Sequence, residues 1–252
     1  MLHGTRALLA AASFAFAAMI TTANAAEIQL LASTAMREAL DELVPQFEKD
    51  SGHKVAISFY PAATLVLKVK DNAPADLVMT TPDNLTELTN TKHLVDGTRA
   101  DFVHSRVGVA VKDGAPKPDI STPDGLKAAF LAAKTIGISR GPSGVHLLTQ
   151  MAKIGIADQV KAKMVQPDLG VRVGTLIADG KAEIGVQQIG ELLPIKGIVF
   201  LGPLPAELQT VIVYGMARSA NAKNWDAAST LVKYLTAPSV GPKLKKIGLD
   251  PA

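Results

Sequence analysis

No cysteine occurs in the 252 residues, which excludes a disulfide-stapled scaffold, a thiol nucleophile and a lipid-modified cysteine as a membrane tether. Aromatic residues make up 4% of the chain, with a single tryptophan. The core must therefore be aliphatic, and no cluster of aromatics offers a stacking surface for sugars or bases. Charge of one sign is scarce as well. Lys and Arg number 26 against 23 Asp and Glu, a formal charge of +3, spread too evenly for the clustered basic face that nucleic-acid binding needs. The five histidines, His3, His53, His93, His104 and His146, lack the i, i+4 spacing of a helical zinc site. There is no G-x-S-x-G elbow, no Walker-type G-x-x-x-x-G-K, and no G-x-G-x-x-G opening a helix after a strand. The sequence thus calls for no metal and no cofactor.

Long apolar runs are also missing, except at the start. Arg6 is followed by an apolar stretch from Ala7 to Ile20 broken only by Ser13, and no acidic residue precedes Glu27. The run is shorter than the roughly 20 residues of a bilayer span. Ala23 and Ala25 flank Asn24 in the A-x-A pattern that a signal peptidase reads. We therefore read residues 1–25 as a cleavable signal peptide, cut after Ala25 with Ala26 as the next candidate, and expect a mature chain in a Gram-negative-type periplasm without a membrane anchor. Removing 25 of 252 residues leaves 227, and losing Arg6 turns 26 against 23 into 25 against 23, a charge of +2. A chain of that length has ample material for one large or two compact lobes.

What remains alternates regularly. Short apolar strands are expected at Glu27 to Ala32, Lys54 to Phe59, Ala75 to Met79, Arg106 to Lys112, Thr135 to Ser139, Ala182 to Val186 and Val211 to Ala217. Between and after them, helical spacing marks Met36 to Phe47, Ala63 to Val69, Asp83 to Asn90, Gly144 to Ile154, Val173 to Asp179, Trp225 to Leu235 and Val240 to Ile247. Gly114 to Pro123 reads as a loop. Strand-helix alternation of this kind implies an α/β fold with mostly parallel sheets and right-handed crossovers. The pattern runs twice, so the expectation is two lobes: residues 26–105 with 218–252, and residues 106–217. Ligands of open α/β sheets sit where helices open after the strand ends. The loops to read are Ser33-Thr34, Tyr60 to Thr64, Thr80 to Asp83, Ser139 to His146 and Gln187 to Glu191.

Four of these loops carry hydroxyls at expected helix starts, where unpaired N–H groups and the helix dipole favour an anion. The same residues are also the ordinary N-caps of helices. Convergence on one cleft is what favours the anion. The most informative stretch is Ser139-Arg140-Gly141-Pro142-Ser143-Gly144-Val145-His146. Here Arg140 can pair with a carboxylate, Gly141 and Gly144 can let backbone approach a ligand, Ser143 can cap the helix or donate its hydroxyl, and His146 can point back toward the cleft or bond a neighbouring carbonyl. Arg172, before another helix, can supply a second cation or lie in solvent.

Leu31-Ala32-Ser33 after the first strand, Ser58-Phe59 before a turn into Thr64-Leu65, and Ala73-Pro74-Ala75-Asp76-Leu77 before the third strand together resemble the periplasmic molybdate-binding protein family. The resemblance implies a two-lobed type II periplasmic-binding-protein fold, each lobe a mostly parallel sheet flanked by helices, with a small anion held between the lobes of a monomer that serves an ABC permease. Carried over by position, the family's first hydroxyl ligand falls on Ser33. Its serine-rich turn falls on Pro61-Ala62-Ala63, where only Thr64 nearby keeps a hydroxyl, a backbone contact falls near Val171, and its cleft tyrosine falls on Gln188. Two hydroxyl donors are lost while Arg140 and His146 appear. A compact oxyanion is well served by neutral donors, whereas arginine suits the planar carboxylates of a larger organic anion. The expected cleft residues are thus Ser33, Thr34, Thr64, Thr81, Arg140, Ser143, His146, Val171 and Gln188, and the expected function is carriage of an organic carboxylate. Aconitate isomerases are similar to the same scaffold. In an enzyme of that kind, moving a proton along an unsaturated tricarboxylate needs a group that takes and returns it and cations that stabilise the developing charge, with His146 and Arg140 as the candidates. A molybdate or tungstate receptor is the third reading.

Overall fold

The computed structural model describes residues 25–168 and 170–252, and the expected signal peptide, apart from Ala25, lies outside them. No helix among the described residues is long and apolar enough to cross a membrane.

The first sheet begins with β1 (Glu27–Ser33), β2 (Lys54–Tyr60) and β3 (Leu77–Thr80), all parallel and joined by α1 (Arg37–Ser51) and α2 (Ala62–Lys70). In β1 the alternation sends Ile28, Leu30 and Ala32 to one face, against Leu40, Leu43 and Phe47 of α1, and Leu31 to the other, against Leu65 and Val69 of α2. Such two-sided burial is what a strand between two helical layers requires. After α3 (Pro82–Asn90), the 13-residue β4 (Ala100–Lys112) changes partners along its length. Ala100 to Arg106 pair with β9 (Val211–Arg218), and Val107 to Val111 pair with β7 (Ile184–Gln188). The change of partner thus falls within one strand, between Arg106 and Val107.

The second sheet contains the parallel strands β5 (Ile136–Ile138), β6 (Met164–Val165) and β7, with β8 (Ile198–Pro203) antiparallel to β4. Its helices are α4 (Pro123–Ala132), α5 (Pro142–Lys153), α6 (Ala157–Lys161), α7 (Val173–Ala178) and α8 (Ile189–Leu192). The chain returns to the first sheet through β9 and closes with α9 (Trp225–Leu235), α10 (Gly241–Lys246) and β10 (Leu249–Pro251). The full order is β2-β1-β3-β9-β4-β7-β5-β6, with β8 and β10 also on β4.

Two expectations change. The alternation places residues 211–217 in the second lobe, but β9 lies between β3 and β4 in the first sheet, so the chain crosses back earlier, between Pro203 and Val211. Gln209 fastens that crossing: its Oε1 accepts from Val107 N at 2.9 Å and its Nε2 donates to Val107 O at 2.9 Å. The sheets are also less uniformly parallel than the alternation implied, because β4 and β9 pair antiparallel with their neighbours. Parallel pairing remains within β1, β2 and β3 and within β5, β6 and β7, where helices supply the crossovers.

The Ala-Pro-Ala-Asp-Leu motif proves architectural. Buried Asp76 accepts hydrogen bonds from the backbone of Gln29, Lys223 and Asn224 at 2.7 to 2.8 Å. Three charge-assisted bonds satisfy its carboxylate and tie β1 to the lead-in of α9.

Candidate functional site

A cleft of about 230 Å3 opens where the C-terminal ends of β1, β2, β5 and β7 meet. Helix starts surround it: the short turn of helix after Ser33, then α2 at Pro61, α5 at Gly141, α7 at Arg172 and α8 at Gln188. None of the five is capped by the side chain of its own N-cap residue, although at α7 Gln187 takes the first N–H. Away from the cleft, Thr122 does cap α4, accepting from Gly125 N at 3.1 Å. The hydroxyls of Ser33, Thr34 and Thr64 line the cleft without serving as caps, and unpaired N–H groups at helix starts favour negative charge.

Six of the nine expected residues meet here: Ser33, Thr34, Thr64, Arg140, Val171 and Gln188. Arg140 donates from Nε to the carbonyl of buried Pro167 at 2.7 Å, which orients the guanidinium and leaves its two terminal nitrogens. Among the described residues it makes no ion pair. Arg172 is also in the lining, but its Nη2 pairs with Glu38 of α1. That pair joins the second lobe to the first across the cleft.

Three expected residues lie elsewhere. His146, the expected ligand contact and possible base, has its Nε2 2.7 Å from the Leu208 carbonyl. It is held against the inter-lobe connection and is parted from Arg140, its intended partner. Ser143 is wholly buried in the first turn of α5, and its hydroxyl has no hydrogen-bond partner among the described residues. Gly141 occupies the cap position instead. Thr81 heads α3 outside the lining. β9 runs past the end of β3, where Thr80 pairs with Gly215, and its next residue, Tyr214, enters the cleft in that place. Gly144 also has a different purpose from close approach to a ligand. A Cβ there would stand 1.8 Å from the Ser139 carbonyl oxygen, so the glycine lets α5 pack on the loop carrying Arg140.

The floor holds residues that spacing did not single out. Tyr214 is 1% exposed and accepts from Gln188 Nε2 at 2.9 Å. Gln188, at the expected tyrosine position, thus stands beside a tyrosine supplied by a different strand. Burial first, then the charge of Glu191, pushes the Tyr214 hydroxyl well above the usual phenol range, while Gln188 and Ser33 act the other way. Gln187 accepts from Val173 N at 2.7 Å, fixing the start of α7. Glu191, 8% exposed, lies in the first turn of α8 and lines the cleft. Burial raises its carboxyl from 4.5 to about 7, with Arg172 and Gln187 opposing and Glu38 adding to the rise. A group poised near neutrality can both give and take a proton. The available signals were a single acid in the apolar run Ile189-Gly190-Glu191-Leu192 and a single phenol in Val211 to Ala217. No group of three or more His, Asp or Glu among the described residues is arranged to hold a metal ion.

Comparison with known proteins agrees with this architecture. The chain is 29% identical over 252 residues to an aconitate isomerase from a Pseudomonas species, covering 97% of this chain and 93% of that one. It is 28% identical over 236 residues to the molybdate-binding protein ModA of Azotobacter vinelandii, covering 90% of each. The solved structure of the periplasmic molybdate-binding protein of Azotobacter vinelandii superposes with a TM-score of 0.74 at 19% identity, covering 88% of this chain and 98% of that one, which shows a shared fold. The model of the bacterial extracellular solute-binding protein family matches residues 28–250, and the chain belongs to that family.

Proposed function

We propose that this protein is exported to the periplasm, after loss of residues 1–25, and binds a small organic anion bearing carboxylates in the cleft between its lobes, for delivery to an ABC permease. The observation that carries this reading is Arg140. Its Nε is committed to Pro167 O, which leaves two terminal nitrogens on a residue lining a cleft of helix starts that no N-cap side chain closes. Two parallel N–H donors match the spacing of carboxylate oxygens. Ser33, Thr34, Thr64 and Gln188 add neutral donors, while the Val171 amide is engaged by the Asp168 carbonyl at 3.0 Å.

A second reading has its own support. The similarity to an aconitate isomerase extends over 97% of the chain, and Glu191 places a proton-exchanging group in the same cleft. On this reading the bound acid is isomerised, with Glu191 in the role first given to His146 and with Arg140 and Arg172 supporting the developing charge.

One experiment separates the readings. The mature protein is mixed with molybdate, sulfate, citrate, cis-aconitate and trans-aconitate, followed by thermal shift and by the absorbance of the unsaturated acids. Stabilisation by a carboxylate that stays chemically unchanged supports carriage and removes the isomerase. Interconversion of the aconitates supports the isomerase. Stabilisation by molybdate alone overturns both.

A further inference from the structure

An acid among anion-binding groups needs explaining. The helix starts, hydroxyls and arginines of this cleft favour negative charge, and its other acid, Asp168, is exposed to solvent, yet Glu191 is buried in the wall, 8% exposed, just after Gln187 and Gln188. The groups around it are fixed. Arg172, at the start of α7, is the opposing charge that acts on it, but it is engaged by Glu38 of α1, whose own negative charge also reaches Glu191. Tyr214 approaches from β9 and Gln187 from β7. Arg106 of β4, which packs on α8, is turned away to Asp250 at 3.3 Å. Arg140 and Asp168 stand elsewhere in the lining.

An ionised Glu191 and an anion enclosed with it would be two like charges in a space of about 230 Å3, and like charges sharing a poorly solvated site cannot both stay ionised. The ligand is held by several donors and an arginine, whereas Glu191 has a hydrogen bond with Gln187 and a shared claim on Arg172. Glu191 is therefore the group that accepts a proton. Once neutral, it changes from an acceptor that repels the ligand into an O–H donor.

We infer that the cleft takes up its anion together with a proton from solvent, carried by Glu191, which in the loaded protein is neutral and donates its O–H to a ligand oxygen. Glu191 is then a specificity-determining residue. It favours anions that present an ionised, hydrogen-free oxygen at the floor of the cleft and disfavours those with a hydroxyl at that point. The inference rests on the reading of the cleft as a carboxylate site, and the depressed affinity that follows above neutral pH belongs to this one side chain.

The test is calorimetric titration of the mature protein with trans-aconitate, whose carboxylates are ionised throughout, at pH 6, 7, 8 and 9 in two buffers of different protonation enthalpy. Wild type is expected to take up close to one proton per ligand at pH 8, and its affinity to fall about tenfold per pH unit above neutrality. Glu191→Gln keeps a donor without the ionisation, so it should bind with flat affinity and without proton uptake. A wild type that takes up no proton, or a Glu191→Gln variant with the same pH slope, overturns the inference while leaving the carboxylate reading intact. Binding of molybdate but not trans-aconitate overturns the carboxylate reading, and the same titration with molybdate then decides the inference. A failure of both probes is resolved in the unliganded protein by carbon NMR of labelled glutamate carboxyls, assigned with Glu191→Gln. Titration of Glu191 in the ordinary glutamate range would overturn the inference regardless of ligand.

Discussion

The two walls of the cleft differ in kind. The first-lobe wall, from Ser33 to Ala35, from Pro61 to Thr64 and at Tyr214 of β9, has hydroxyls and helix-start amides but no side chain charged near neutral pH. The second-lobe wall carries Arg140, Asp168, Arg172 and Glu191. Neutral donors hold an anion without regard to its shape, whereas an oriented guanidinium and a titrating carboxyl discriminate. The difference assigns general anion attraction to the first wall, and choice of ligand with proton balance to the second.

The largest expected effect lies on the charged side and needs no ligand. Folded Glu191 keeps a proton between the ordinary glutamate range and about pH 7 that the unfolded chain has already released. Stability should therefore fall as pH rises through that window, by about 3 kcal/mol for a carboxyl this buried. Denaturant unfolding at several pH values should show this loss in wild type but not in Glu191→Gln. A parallel decline in both proteins would place the titration elsewhere.

Removing the oriented cation comes next. Arg140→Ala should weaken carboxylate binding about a hundredfold, the value of two charge-assisted hydrogen bonds less partial compensation by water. Arg140→Lys should recover only part of that, since an ammonium cannot present two parallel donors. Calorimetry reads both, and equal affinity of the lysine and arginine forms would remove the argument for a planar ligand. On the neutral wall, Ser33→Ala should cost about tenfold in affinity, for carboxylates and inorganic oxyanions alike. A loss confined to one class would erase the division of labour between the walls.

The smallest effect on binding belongs to His146→Ala. The imidazole bonds the Leu208 carbonyl, so its loss should leave ligand affinity within about twofold and lower stability by about 1 kcal/mol. Isomerisation of an unsaturated acid, where present, should persist in this variant.

Much of the first wall was legible, because the turns after β1 and β2 follow strands with clear alternation and open helices with clear periodicity. Ser33, Thr34 and Thr64 were reachable by those local rules. The second wall was harder. His146 has helical spacing consistent with facing the cleft, but which way a helix turns its polar residue depends on its neighbour, here the inter-lobe connection at Leu208. Ser143 looked like a cap, yet the helix begins at Pro142 after Gly141, leaving the serine inside the first turn. Tyr214 and Glu191 lie in apolar segments, and an apolar pattern marks burial without revealing which buried polar group meets a cavity.

By itself the sequence determined the absence of disulfides, the strand-helix alternation and therefore the α/β class, and the loops that follow the strands, because composition and periodicity act within a few residues of each position. Tertiary structure decided that β9 crosses back to the first sheet, that Arg172 is engaged by Glu38, and that a glutamate and a tyrosine far apart in the chain close the floor of the cleft. Those facts depend on pairing between strands and on burial created by distant elements. The shared low-dielectric space that sets the charge of Glu191 exists only once both lobes are in place.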